Sequence, residues 1–294
     1  MPEKDPAEFR PARESSAGTI ILILLVLAAA AGGWWYWSQR EPAMPAPSPA
    51  AAAPQPDVPA PPPTAAASGP QNPIDALAEP DAVLPALADS DSAVIKALAD
   101  LLGGGAVSSF LQTDGFVRRL VATVDNLPRA QAPSRMWPVQ PAPQRFGVTG
   151  VADGQAIAAD NAARYTPFVR FAESVDVANA VTLYARLYPL FQQAYEELGY
   201  PGRYFNDRLI AVIDHLLQAP EPQTPPRVTL TEVKGEVAAS RPWVRYEFAD
   251  PQLEALSAGQ KLLVRMGLDN ERRLKARLAE VRRQVATGSV AKKP

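Results

Sequence analysis

The sequence predicts a mainly α-helical domain held behind an N-terminal transmembrane helix and a Pro/Ala-rich linker, with a short β-hairpin within the domain. Three observations lead there. Thr19–Trp37 (TIILILLVLAAAAGGWWYW) is uncharged throughout and meets the ~17–25 residues a helix needs to cross a bilayer core. Residues 38–73 are almost entirely Pro, Ala, Ser, Gln and Gly, too poor in large apolar groups to offset the entropy of ordering. Beyond residue 74, apolar residues recur at spacings of three and four, the period of one helix face.

The first helix is apolar on every side, unlike the stripe of a core helix. It ends in Trp34, Trp35, Tyr36 and Trp37, rings suited to the headgroup layer. Ala28–Ala31 offers small residues to a signal peptidase, but the apolar run outlasts a signal core and continues into the aromatics, which favours an uncleaved anchor. Lys4, Arg10 and Arg13 precede it, whereas Arg40 stands alone on the far side until Lys96. That asymmetry keeps residues 1–18 in the cytoplasm and exports the rest. The linker reads as a polyproline II spacer with a reach of about 100 Å, at roughly 3.1 Å per residue.

The folded domain is expected over residues 74–286, with a disordered tail at 287–294. Asp89–Leu102 reads as a helix with Ser90 or Ser92 as cap, ended by Gly103-Gly104-Gly105. A second helix follows Thr113-Asp114 and stops at Pro128. Prolines at 128, 133, 138, 141 and 143 make residues 128–150 irregular, with Met136, Trp137 and Phe146 expected to pin this loop. From Asp176 the residues Val177, Val181, Tyr184, Tyr188, Phe191, Tyr195 and Leu198 share one helical face, with a kink expected at Pro189. Tyr204–Leu217 is another amphipathic helix. Val228–Val237 and Trp243–Phe248 read as strands turning at Lys234-Gly235. Asp250-Pro251 opens a helix to about Met266, and the last helix runs from Asp269 with Leu274, Leu278, Val281 and Val285 inward.

Four ordered segments resemble a known family, the proteobacterial membrane-anchored proteins catalogued as "domain of unknown function three thousand and fourteen". They are FVRRLVATVDNLPR (Phe116–Arg129), NAARYTPFV (Asn161–Val169), LYARLYPLFQQAYEELGYP (Leu183–Pro201) and FADPQLEALSAGQKLLVRMG (Phe248–Gly267). The likeness covers roughly residues 85 to 285. It implies a bacterial inner-membrane protein with a periplasmic helical domain, and it brings no catalytic residues.

Composition narrows the chemistry. There is no cysteine, so disulfides and thiolate chemistry are excluded. His215 is the only histidine, which leaves no multi-histidine metal site. Neither HExxH nor GxSxG nor a phosphate-cradling glycine loop occurs. Ser257 and Lys261 are four apart where the serine–lysine hydrolase signature needs three. No cofactor is implied. Among polar residues, Asn161, Arg164 and Tyr165 precede the aromatic helix, while Arg186 and Arg203 lie in or beside apolar segments. With Tyr184 these are ligand or partner candidates, weighed against internal hydrogen bonds that lock loops to helices.

From Lys261 onward there are ten Lys/Arg against three Asp/Glu, whereas residues 41–260 hold fifteen against twenty-four. The sequence therefore nominates Arg272, Arg273, Arg282 and Arg283 as a solvated basic face, with an anionic envelope polymer or an acidic protein as partner. Nucleic acid fits poorly with export. The function that follows is a non-enzymatic envelope interaction module. The alternatives are a carboxylate-dependent hydrolase of cell-wall glycan or peptide and a small-ligand-binding periplasmic domain.

Overall fold

The computed structural model describes residues 69–287, apart from 75–76, 78–80, 82, 152–153 and 232–244. These belong to the compact unit Ala65–Pro294. The expected cytoplasmic tail, membrane helix, most of the linker, the end of the chain and the Lys234-Gly235 turn lie outside the described residues. Among the described residues, no single helix is long and apolar enough to cross a membrane.

The domain is mainly helical. In chain order come α1 (Asp91–Leu102), α2 (Gly104–Phe110), α3 (Phe116–Asn126), α4 (Thr166–Ser174), α5 (Val177–Arg186), α6 (Tyr188–Glu197), α7 (Phe205–Leu217), α8 (Pro251–Glu254), α9 (Ala258–Arg265) and α10 (Leu268–Val285). Among the described residues, four short strands make two antiparallel pairs. β1 (Val148–Thr149) meets β2 (Ala156–Ile157), and β3 (Val228–Leu230) meets β4 (Tyr246–Phe248) in the register Val228↔Phe248. The sequence anticipates the β3–β4 pair; β1–β2 is too short to carry a period.

Three expected helices are divided differently. Gly103 (φ 84°) does end α1, a left-handed conformation that glycine adopts without a Cβ penalty. Gly104 and Gly105, however, open a new helix at a bend of 112°, because this turn delivers Val107 into the core at 5 % exposure. The helix expected to kink at Pro189 breaks at Leu187 instead. Proline then sits in the first turn of α6, where its missing N–H would have no partner anyway. The helix expected from Asp250 to Met266 is two: Asp250 caps α8 by accepting from the Gln252 amide, and Ser257 caps α9 by accepting from the Gln260 amide.

The main core joins α1, α2, α3, α6 and α7 through Val94, Val107, Val117, Val121, Leu190, Phe191, Tyr195, Phe205 and Leu216. Each such side chain contributes about 1.5–3 kcal/mol on full burial. The aromatic stripe is part of this core: Phe191 and Phe205 stack at 6.3 Å, Tyr195 and Tyr200 at 4.6 Å, and Tyr188 meets Tyr204 at 5.1 Å. A smaller core of Ile157, Val228, Phe248 and Val264 lies under the strands. The C-terminal helix is a central strut, since α10 packs on α4, α5, α7 and α9. Its Val285 shares a third cluster with Val177, Val181 and Ile210.

Buried polar groups tie these parts together. Asn206, fully buried, donates to the Asn72 and Val285 carbonyls at 3.0 Å, so one side chain joins the two ends of the domain. Asp125 accepts from Tyr200, Arg129 and Arg208 at the meeting of α3, α6 and α7.

Candidate functional site

The long loop after α3 is pinned, as its prolines and aromatics suggest. The Gln112 amide donates to the Pro138 carbonyl, the Gln140 amide to the Phe110 carbonyl, and the Thr123 hydroxyl to the Met136 carbonyl. Phe146 packs on Tyr246 at 5.8 Å. Held this way, the loop forms one wall of a groove whose other walls are α3, the 3₁₀ segment Ala159–Arg164, β4 and α9.

The groove has a cavity volume of about 640 Å³ and is lined by Arg119, Arg135, Arg164 and Arg265 together with Trp137, Phe146, Tyr165 and Tyr246. Among the described residues its lining includes no Asp or Glu. A second depression of about 500 Å³ continues it past Ala130–Pro133 to Lys261, sharing Arg135, Trp137, Leu262 and Arg265.

The arginines are held mainly by neutral oxygens. Arg164 donates to the Pro143 and Gln144 carbonyls and to the Asn161 side-chain oxygen, and its guanidinium lies 5.3 Å from the Tyr165 ring centroid. Arg265 donates to the Tyr246 carbonyl and sits 5.0 Å from the Phe248 ring. Arg119 donates to the Asp114 and Arg135 carbonyls, and its one carboxylate contact is at 3.6 Å with an Asp114 side chain that is 93 % exposed. Arg135 is exposed. Backbone carbonyls orient a guanidinium without cancelling its charge, so the groove remains cationic.

The candidates from sequence divide between this groove and the rest of the domain. Arg164 and Tyr165 line it, and Asn161, 2 % exposed, braces Arg164 from behind while accepting from the Gly147 amide. Tyr184 packs on the aromatic core, where burial pushes its hydroxyl well above the usual tyrosine range. Arg186 pairs with Asp81 at 2.9 Å, and Arg203 is exposed beside α7. On α10, Arg272 pairs with Glu221, Arg273 with Glu173 and Asp269, and Arg282 with Asp214; Arg283 is exposed. The expected free basic face is thus largely neutralised by acids from other elements. Lys275, on the same helix, is buried between Glu271, Glu221 and the Ala219 carbonyl.

Arg119, Arg135, Trp137, Phe146, Tyr246 and Arg265 were not singled out from sequence as site residues. Arg119 and Arg265 do fall inside the family-like segments FVRRLV and LLVRMG, which is the available signal for them. Among the described residues no cluster of three His, Asp or Glu side chains could hold a metal. His215 Nε2 lies 2.9 Å from Ser257 Oγ, but that hydroxyl also caps α9, and Gln260 closes the contact by donating to the His215 carbonyl. Among the described residues the most buried carboxylate is Glu271, with both oxygens sealed from solvent and burial pushing it upward.

A family model described as "Protein of unknown function (DUF3014)" matches residues 116–282, from α3 to the last turns of α10. The chain belongs to this family. The matched span contains every arginine of the groove, and the resemblance read from the four sequence segments is confirmed. No curated protein and no solved structure matches this DUF3014 chain.

Proposed function

We propose that the chain is a bitopic inner-membrane protein whose helical domain stands in the periplasm as a non-enzymatic interaction module, holding an anionic partner in the arginine groove. One observation carries the charge of the partner: Arg119, Arg135, Arg164 and Arg265 converge on a concavity that no carboxylate lines among the described residues. Apart from the 3.6 Å contact of Arg119 with the exposed Asp114, these cations face one another, and a bound anion relieves their mutual repulsion. The uncharged Thr19–Trp37 stretch and the Lys/Arg excess before it support the anchor and its direction.

A carboxylate-dependent hydrolase is less well supported. Glu271 is enclosed, and Glu197 is tied to Arg118 and Gln193. A general acid has to come within hydrogen-bond reach of its substrate.

The test is titration of the full chain in detergent micelles with polyaspartate, polyphosphate and polygalacturonate, at low and high salt. At least one should bind, more weakly in salt, and Arg135→Gln combined with Arg119→Gln should weaken it. If none binds, or if binding ignores the double variant, the reading fails. The topology has its own test, an alkaline phosphatase fusion after Pro294, which should be active.

A further inference from the structure

We propose that the occupant of the groove is an anionic glycan chain, whose sugar rings lie on the aromatic side chains and whose oxyanion groups pair with the arginines. This rests on the anion-binding reading above and narrows it to one chemical class.

Shape comes first. The two depressions, about 640 Å³ and 500 Å³, are joined through Arg135, Trp137, Leu262 and Arg265. Each alone falls within the ~300–1,000 Å³ of a small-molecule pocket. Joined, they form a track suited to a chain of several units, and a compact ion would leave most of it empty.

The lining decides the chemistry. Rings and guanidinium groups share the lining, Trp137, Phe146, Tyr165 and Tyr246 with Arg119, Arg135, Arg164 and Arg265; the Arg164 guanidinium lies 5.3 Å from the Tyr165 ring centroid, and Arg265 donates to the Tyr246 carbonyl. A sugar ring presents apolar C–H faces that pack on an aromatic face, and its carboxylate or phosphate offers two oxygens to the fork of an arginine. Carbonyl bonds hold the guanidinium groups of Arg119 and Arg265 in place with N–H groups left over for a ligand, which lowers the ordering cost of binding, while Arg164, whose Nε, Nη1 and Nη2 all donate internally, contributes charge rather than a fork.

Two other anionic classes fit less well. An extended acidic peptide recognised by strand addition needs an open backbone edge. Here the Pro138 and Phe110 carbonyls are taken by Gln112 and Gln140, and the Tyr246 carbonyl by Arg265. A bilayer surface attracts basic side chains that reach its headgroups, whereas Arg119, Arg164 and Arg265 are half-buried in a recess.

The test uses the full chain in micelles and five probes: hexagalacturonate, a phosphomannan oligomer, neutral maltohexaose, hexaglutamate, and phosphatidylglycerol vesicles. One or both charged oligosaccharides should bind, and which one does identifies carboxylate or phosphate as the source of charge. Maltohexaose and hexaglutamate should each bind about tenfold more weakly or worse, a difference of about 1.4 kcal/mol. Arg135→Gln, which removes a side chain exposed on the groove rim, should weaken the charged oligosaccharide severalfold. Tyr165→Ala should weaken it about tenfold, while Tyr165→Phe, which keeps the ring, should bind within about twofold of the parent. Hexaglutamate or vesicles binding as tightly as the oligosaccharides, or a Tyr165→Ala variant binding like the parent, would overturn the glycan assignment and leave anion binding standing. Equal binding of maltohexaose would remove the role of charge. Failure of every anionic probe would remove both.

Discussion

Replacing Asp125 with alanine should cost the domain about 3 kcal/mol, and the figure follows from who is left behind. The carboxylate is 3 % exposed and accepts from Arg129 at 2.5 Å, Arg208 at 3.2 Å and Tyr200 at 3.1 Å. Removing one member of a buried ion pair typically costs about 3–5 kcal/mol, because the partner is left buried and unpaired. Arg129 and Arg208, though, keep 52 % and 32 % of their side chains exposed. Water can solvate both once the carboxylate is gone, so the cost belongs at the lower end of that range. Asp125→Asn retains an acceptor of the same shape and should lose only about 1–2 kcal/mol, in line with charged against neutral hydrogen bonds. Urea unfolding of a chain beginning at Gly69 measures both, as a lowered midpoint at unchanged slope. A loss under about 1 kcal/mol for the alanine variant would show that Asp125 does not hold α3 to α7, and the polar account of that junction would fail.

Other expectations concern pH, the C-terminal helix and the start of the domain. Burial raises Glu271 above its ordinary value, so the stability it contributes is present below about pH 4.5 and falls as pH rises through the folded value. Glu271→Gln does not titrate, so its stability relative to the parent should improve from pH 4 to pH 7 in thermal melts; an unchanged difference would contradict the raised value. Glu173 and Glu221 are lowered by Arg273 and Arg272 respectively, so their stabilisation is present above their unfolded range and is lost as pH falls through the lowered values. Glu221→Gln should accordingly soften the acid limb of the stability profile. Changing Arg272, Arg273, Arg282 and Arg283 together to Gln should lower the melting temperature, since three of the four are paired with acids, while leaving anion binding in the groove intact. A chain starting at Asp81 should be about 2–4 kcal/mol less stable than one starting at Gly69, because it lacks the 2 %-exposed Ile74 and the Asn72 contacts to Asp207.

Local patterning made most of the helices legible. Their apolar faces repeat within a turn, and that information survives in one dimension: α3, α7 and α10 lie within two residues of where the period places them. The aromatic residues from Tyr184 to Tyr195 were legible as one helical face for the same reason, although Tyr184, nominated there for a site, packs against the core. The helix breaks were less so. A break at Leu187 or before Ser257 depends on which side chains the neighbouring elements can bury, and a continuous period cannot signal that.

Charge shows the division most clearly. The sequence by itself determined the basic excess after Lys261, and through NAARYTP it pointed to Arg164 and Tyr165. Only the tertiary structure decided which cations stay unneutralised. Glu173, Asp214 and Glu221 come from α4, α7 and the segment after α7 to cancel α10, and nothing local links them to it. Arg119, Arg135, Arg164 and Arg265 come from four separate parts of the chain and share a groove because α3, a pinned loop, a 3₁₀ turn and α9 meet there. Electrostatic energy depends on distance in space and on the medium between charges, and neither quantity is written along the chain.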